Sequence, residues 1–179
     1  MSNFKQLTLA IFASDKGPGD AGRSSLMSQT GALLAKKGAK LICLAQDGQM
    51  PLPVITSARA AGGGVALIAD DSFVIPKALG DISVERIAEK KDRLNRLAEM
   101  ADCFVGLPGS LASATSLYFT VAELGASKPV VLLNHNNAFE IIRGISVDVF
   151  AHSFPKAHKS VQFAETVEDV WTKVARLTA

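Results

Sequence analysis

Cysteine is scarce in this sequence: Cys43 and Cys103 are the only two, each inside an apolar run. Thiols so placed read as small buried core residues rather than as a disulfide or metal ligands, and a reducing cytoplasm is the matching compartment. Histidine is scarce too. His152 and His158 lie five apart, off the i, i+4 spacing of a helical pair, and no third ligand accompanies them, so no metal is expected. Long apolar runs are missing, with nothing approaching the roughly 18–20 residues of a membrane span. The opening "MSNFKQLTLAIFAS" has no basic region or cleavage site and reads as a first strand. Charge of one sign is missing as well: 19 Lys and Arg against 17 Asp and Glu leave a net +2. So small and scattered an excess argues against an extended nucleic-acid site and leaves small anionic ligands open.

What is abundant is apolar. Of 179 residues, 48% are hydrophobic and 20% charged, enough to give residues 1–179 one core and one domain. Strand-length runs stand at 7–13, 40–45, 65–70, 102–107 and 129–133, continuous rather than alternating, which marks strands covered on both faces. Helical patterns lie between them: Leu26, Met27, Thr30, Leu33 and Leu34 before Gly38; Val84, Ile87, Leu94, Leu97 and Ala98; Leu117, Val121 and Leu124 before Gly125. A last strand, "VQFA" (161–164), leads through a Thr166/Asp169 cap to a helix with Val167, Val170, Trp171, Val174 and Leu177 on one face. The alternation predicts a Rossmann-like, three-layer α/β/α fold with a mainly parallel sheet of order 3-2-1-4-5-6. Its ligand crevice lies at the carboxyl ends of the first and fourth strands. The stretch 69–83 is the longest loop, either a cover for that crevice or a plain surface connection.

Two loops reach the crevice. In "SDKGPGDAGRSS", Gly17, Gly19 and Gly22 match a dinucleotide fingerprint, but Asp15 and Lys16 separate the strand from the first glycine. Gly17, Gly22, Arg23 and Ser24 keep a phosphate-loop spacing with arginine where lysine belongs. A plain flexible turn, or a generic phosphate loop using Ser14, Lys16 and the Gly17 backbone, are the other readings. In "LPGSLASAT", Ser110, Ser113 and Thr115 stand at a helix start, where hydroxyls either cap the helix or join its N–H groups around an anion.

The run "RLNRLAEMADCFVGLPGSLASATSLYFTVAELGASKPVVLLN" resembles the LOG ("Lonely guy") family of phosphoribohydrolases, once taken for lysine decarboxylases, among the Rossmann-like nucleotide-binding proteins. Asp102, Leu107, Pro108, Gly109 and the "KPVVLLN" segment ending at Asn134 fall in the family's order. Arg93 stands where the family has its arginine, Ser14 in its first-strand serine position, and "DGQM", with Gly48, resembles its "GLMG" segment. The family's PGG-x-GT-x-EE is replaced here by Pro108, Gly109, Ser110, Leu111, Ala112, Ser113, Ala114, Thr115 and Ser116, without either carboxylate.

The resemblance implies a homodimer that holds a small phosphorylated ligand beside Ser14, Lys16, Gly17, Gly48, Arg93, Pro108, Gly109, Ser110, Ser113, Thr115 and Asn134. In the family, arginine and glutamate cleave the N-glycosidic bond of nucleoside 5′-monophosphates. A hydroxyl replaces a general base poorly, at a cost of roughly 10²- to 10⁴-fold. The leading expectation is therefore a binding or carrier protein for a nucleotide or a nucleotide-like cofactor, including a pterin phosphate such as molybdenum cofactor, with no further cofactor required. A phosphoribohydrolase using Arg93, Thr115 and Ser116, or a carboxylate from Asp70 or Asp71, is the alternative; an NAD(P)-binding, oxidoreductase-like protein is the second.

Overall fold

Each continuous apolar run becomes a strand. In the computed structural model, which describes residues 6–13, 21–109, 111–123, 128–153, 155 and 160–179, these are β1 (Thr8–Phe12), β2 (Lys40–Ala45), β3 (Val65–Ala69), β5 (Cys103–Gly106), β6 (Val130–Leu133) and β7 (Val161–Ala164). A seventh, β4 (Ser83–Arg86), lies at one edge. The order is β4-β3-β2-β1-β5-β6-β7 and every neighbouring pair is parallel. This is the expected 3-2-1-4-5-6 order with one edge strand added. The first and fourth apolar runs, β1 and β5, are neighbours in the middle, with Ile11 opposite Val105.

Alternate residues of each buried strand feed two cores. Leu9, Ile11, Leu41, Cys43, Leu67, Cys103, Val105 and Val131 face one side, against α1 (Ala21–Lys36), α2 (Leu52–Ala60) and α7 (Val167–Leu177). Ala10, Phe12, Ile42, Ile68, Phe104 and Leu132 face the other, against α3 (Lys90–Met100) and α4 (Leu111–Glu123). Phe12 and Phe104 meet there edge to face, with centroids 5.8 Å apart. After β6, α5 (Glu140–Ile145) runs through a π-helical turn, Ser146–Phe150, into α6 (Ala151–Ser153). Asp102 works at the far end of the sheet from the crevice, its carboxylate accepting from the Thr8 N–H at 2.9 Å.

The helix ends follow the sequence signals. Gly38 closes α1 at φ +84°, and the Ala39 N–H donates to the Leu34 carbonyl at 3.1 Å, the left-handed stop that a glycine permits. Thr166 caps α7 by accepting from the Asp169 N–H, and the Asp169 carboxylate accepts from the Glu165 N–H, each at 3.2 Å. Gly125 lies outside the described residues.

One expectation needs correction. Val84 and Ile87 do not belong to a helix with Leu94 and Leu97: residues 83–86 pair with β3, and α3 starts only at Lys90. An edge strand keeps one flank in water and tolerates charges such as Glu85 and Arg86, so it lacks the apolar run of a central strand. The 69–83 stretch is the crossover into β4. Its Leu79 is buried in the core under α2, and Arg59 of α2 binds the Ala78 carbonyl and the Asp81 carboxylate.

α1 and α2 approach closely at Gly31, where a Cβ would stand 2.4 Å from the Val54 carbonyl oxygen. Backbone cannot yield there as a side chain would, so Gly31→Val is expected to destabilise the fold by about 1–3 kcal/mol, read as a lowered urea midpoint with unchanged slope. Burial pushes both thiols up to about 12. Cys43 and Cys103 should therefore resist iodoacetamide at pH 8 in the native protein and react fully once it is denatured.

Candidate functional site

β1, β2 and β5 end on the same rim of the sheet because all strands run parallel, and the helices that follow β1 and β5 begin there. Neither α1 nor α4 has an acidic residue in its first turn. The helix dipoles therefore give the rim a positive bias, against which Asp47, past β2, sets one carboxylate. Arg23, on α1, reaches across the rim, its Nη1 donating to the Gly109 carbonyl at 3.3 Å.

Arg93 is the charge beneath this rim. It lies on α3 with Leu94 and Leu97, in the helix's buried stripe, and is only 4% exposed. Its Nε–H donates to Gln46 Oε1 at 2.9 Å, and Nη1 donates to the carbonyls of Ile87 and Ala88 at 2.8 and 2.5 Å. No carboxylate lies within ion-pair distance of it among the described residues. A buried guanidinium hydrogen-bonded to neutral oxygens, without an ion pair among the described residues, leaves positive field for whatever binds nearby.

Gln46 passes that interaction on. It follows β2, at the mouth of a two-residue hairpin in which Asp47 and Gly48 both have positive φ, 54° and 70°. Gln46 and Gln49 close the hairpin with N–H to carbonyl bonds of 3.0 and 2.9 Å, and an Asp-Gly pair is the sequence that such a turn selects. The Gln46 amide nitrogen donates to Ser116 Oγ on α4 at 3.4 Å. Ser116 is 2% exposed, so one polar chain runs from α3 through the end of β2 to α4.

The hairpin is pinned from below by Asp70, just past β3. The Asp70 carboxylate accepts from the Asp47 N–H at 3.0 Å and from the Ser72 hydroxyl and N–H at 2.8 and 3.0 Å. The Ser72 hydroxyl foremost, then the two N–H groups and the charge of Arg93, hold its pKa below the ordinary 3.8, against the opposing effect of partial burial. Arg86 fixes the same loop, donating to the carbonyls of Asp70, Asp71 and Phe73 at 2.8, 3.3 and 3.0 Å.

Between these elements lies a small cavity of about 30 Å³, open to solvent. Ala13 past β1, Gln46, Asp47 and Gln49 past β2, and Ser113 and Ser116 of α4 line it. Of the residues expected at the site, the structure brings Arg93 and Ser116 together through Gln46, with Ser113 on the same wall. Gly48 shapes the adjoining turn. Pro108 is buried behind β5, Gly109 is half-buried, and Thr115 faces outward on α4. Asn134 is buried, but its amide is engaged: it accepts from the Phe139 N–H at 2.8 Å and donates to Glu140 at 2.5 Å, bracing the turn after β6. Ser14, Lys16, Gly17 and Ser110 lie outside the described residues, as does His158. Gln46 is the residue that sequence reasoning missed; its one signal is a polar side chain between an apolar strand and an Asp-Gly turn.

No protein-family model matches the chain, and no curated protein sequence does. Solved structures do match over nearly its whole length. The molybdenum cofactor carrier protein from Chlamydomonas reinhardtii superposes with a TM-score of 0.73 at 20% identity, covering 97% of this chain and 98% of that one. The molybdenum cofactor binding protein from the phototrophic bacterium Rippkaea orientalis gives 0.71 at 15% identity, over 98% and 99%. The structural-genomics target TM1055 gives 0.72 at 22%, over 96% and 99%. The α/β Rossmann-like fold is thus shared with proteins that carry or bind molybdenum cofactor. Among the described residues, no helix is long and apolar enough to cross a membrane.

The depressed Asp70 pKa sets a pH dependence. Its contribution to stability is present above the ordinary carboxylate value of 3.8 and is lost as pH falls through the lower folded value. Asp70→Asn should therefore lower the urea midpoint at pH 6, and the gap to the wild type should close progressively below about pH 4.

Proposed function

We propose that this protein binds and carries a small phosphorylated heterocycle, a nucleotide or a pterin phosphate of the molybdenum-cofactor type, in the cavity beside Gln46, Ser113 and Ser116. The observation that carries the reading is Arg93, a buried guanidinium with no ion-pair partner among the described residues, placed under the rim at which β2 ends. An anionic ligand supplies the missing counter-charge. Ser113 and Ser116 bring hydroxyls to the cavity wall, and Asp47 gives the rim one acceptor suited to the amino and ring N–H edge of a pterin or guanine. The structural neighbours described as carrying or binding molybdenum cofactor support the same class of ligand.

Carriage is favoured over cleavage by what stands where the resemblance has glutamates. Thr115 faces outward and Ser116 is tied to Gln46. Neither supplies a base, and Asp70, the carboxylate that holds the hairpin, is tied to Ser72 and the Asp47 N–H with a lowered pKa that makes it a weak proton acceptor. As in the resembling family, the carrier is proposed to act as a homodimer in the cytoplasm.

Thermal unfolding with AMP, GMP and a pterin phosphate tests the reading. A ligand at 100 times its Kd adds about 2.7 kcal/mol, which in a domain of this size raises Tm by roughly 5–10 °C. Arg93→Ala should abolish the shift. No free base should accumulate from AMP or GMP; its Arg93-dependent release would make the protein a phosphoribohydrolase instead. Stabilisation by NAD(P) alone would move it to the dinucleotide-binding class.

A further inference from the structure

We infer that the Arg93–Gln46–Ser116 chain has a fixed direction, and that it makes Ser116 an obligate hydrogen-bond donor to the ligand. The inference rests on the binding function proposed above and adds which chemical group of the ligand is read there. A guanidinium has donors and no acceptors, so the atom of Gln46 that faces Arg93 Nε at 2.9 Å has to be the amide oxygen. That choice turns the amide nitrogen towards Ser116 Oγ. An amide nitrogen only donates, so the serine oxygen accepts, and the serine proton must leave in another direction.

No described group takes that proton. Among the described residues, the Ser116 side chain makes no hydrogen bond other than the one from Gln46, although Ser116 is 2% exposed and lines the cavity. A buried hydroxyl left without an acceptor costs roughly 1–3 kcal/mol. The hydroxyl is satisfied when a ligand brings an oxygen with a free lone pair. The cavity wall therefore selects an acceptor atom, such as an oxygen of a phosphate or a ring carbonyl, and disfavours an amino or ring N–H group turned to the same point. The direction originates in Arg93, which lines no part of the cavity and reads the ligand through two intermediaries.

Gln46→Glu reverses the chain while changing one heavy atom. A carboxylate accepts from Arg93 and from Ser116 alike, so the serine proton turns away from the ligand and the wall loses its donor. Calorimetric titration of the full-length protein with AMP and with GMP reads this. Ser116→Ala should weaken binding about tenfold or more, as expected for a lost hydrogen bond to a charged acceptor, and Ser116→Thr should restore it. Gln46→Glu should weaken binding at least as much while leaving Tm equal or higher, because the introduced carboxylate pairs with Arg93. In the Gln46→Glu background, Ser116→Ala should cost nothing further.

The two nucleotides separate the sources of the acceptor. Adenine has no ring carbonyl, so a Ser116→Ala penalty shared by AMP and GMP assigns the oxygen to the phosphate, and one confined to GMP assigns it to the ring. A wild-type protein that binds AMP or GMP, with full affinity retained in Gln46→Glu or an undiminished Ser116→Ala penalty in that background, overturns the fixed direction and leaves the binding function standing. A wild-type protein that binds neither nucleotide nor a pterin phosphate overturns both.

Discussion

A guanidinium buried without a carboxylate is an unusual commitment, and much of the rim is arranged around keeping it there. Arg93 enters the buried stripe of α3, where a leucine would pack without cost, and is held by one side-chain amide and two backbone carbonyls. Those carbonyls belong to Ile87 and Ala88, in the short connection from β4, so the added edge strand sets the arginine's position from the start of its own helix. Removing the charge from water demands that every remaining element stay in register. Gln46 has to end β2 with its amide outward, and the hairpin has to turn within two residues to leave it there.

The same requirement explains the second tier of contacts. Asp70 holds the Asp47 N–H, Ser72 holds Asp70, and Arg86 holds the loop that carries both. None of these side chains lines the cavity wall with Ser113 and Ser116, yet each limits how far Gln46 can move. Preorganisation of this kind lets a weak, 3.4 Å hydrogen bond still define an orientation, because the partners have little freedom to find another.

The central sheet was legible because two-sided burial writes itself as unbroken apolar runs. β4 was not legible, since an edge strand reading Ser-Val-Glu-Arg has the polarity of a solvated helix face and two valine- and isoleucine-type positions at helical spacing. α2 escaped as well: its Pro51 and Pro53 look like loop punctuation, although proline is well suited to a first helical turn. At the site, Arg93 was found through its spacing from Asp102, and Ser116 through its alignment with a missing glutamate. Gln46 has no such anchor. Its role exists only when β2, α3 and α4 converge, which no local pattern records. Asn134 shows the converse, because a polar residue just past a strand reads alike whether it faces a ligand or braces the next turn.

Both cysteines lie in the sheet, fully buried, with their thiols held un-ionised far above neutral pH by the surrounding hydrocarbon. The cavity is lined instead by apolar strand ends, the amides of Gln46 and Gln49, the Asp47 carboxylate and the hydroxyls of Ser113 and Ser116. A bound group therefore meets no thiolate that could reduce it, take a metal from it or form an adduct with it. The only two sulfur nucleophiles of the sequence are thereby withheld from the rim and spent on packing the sheet.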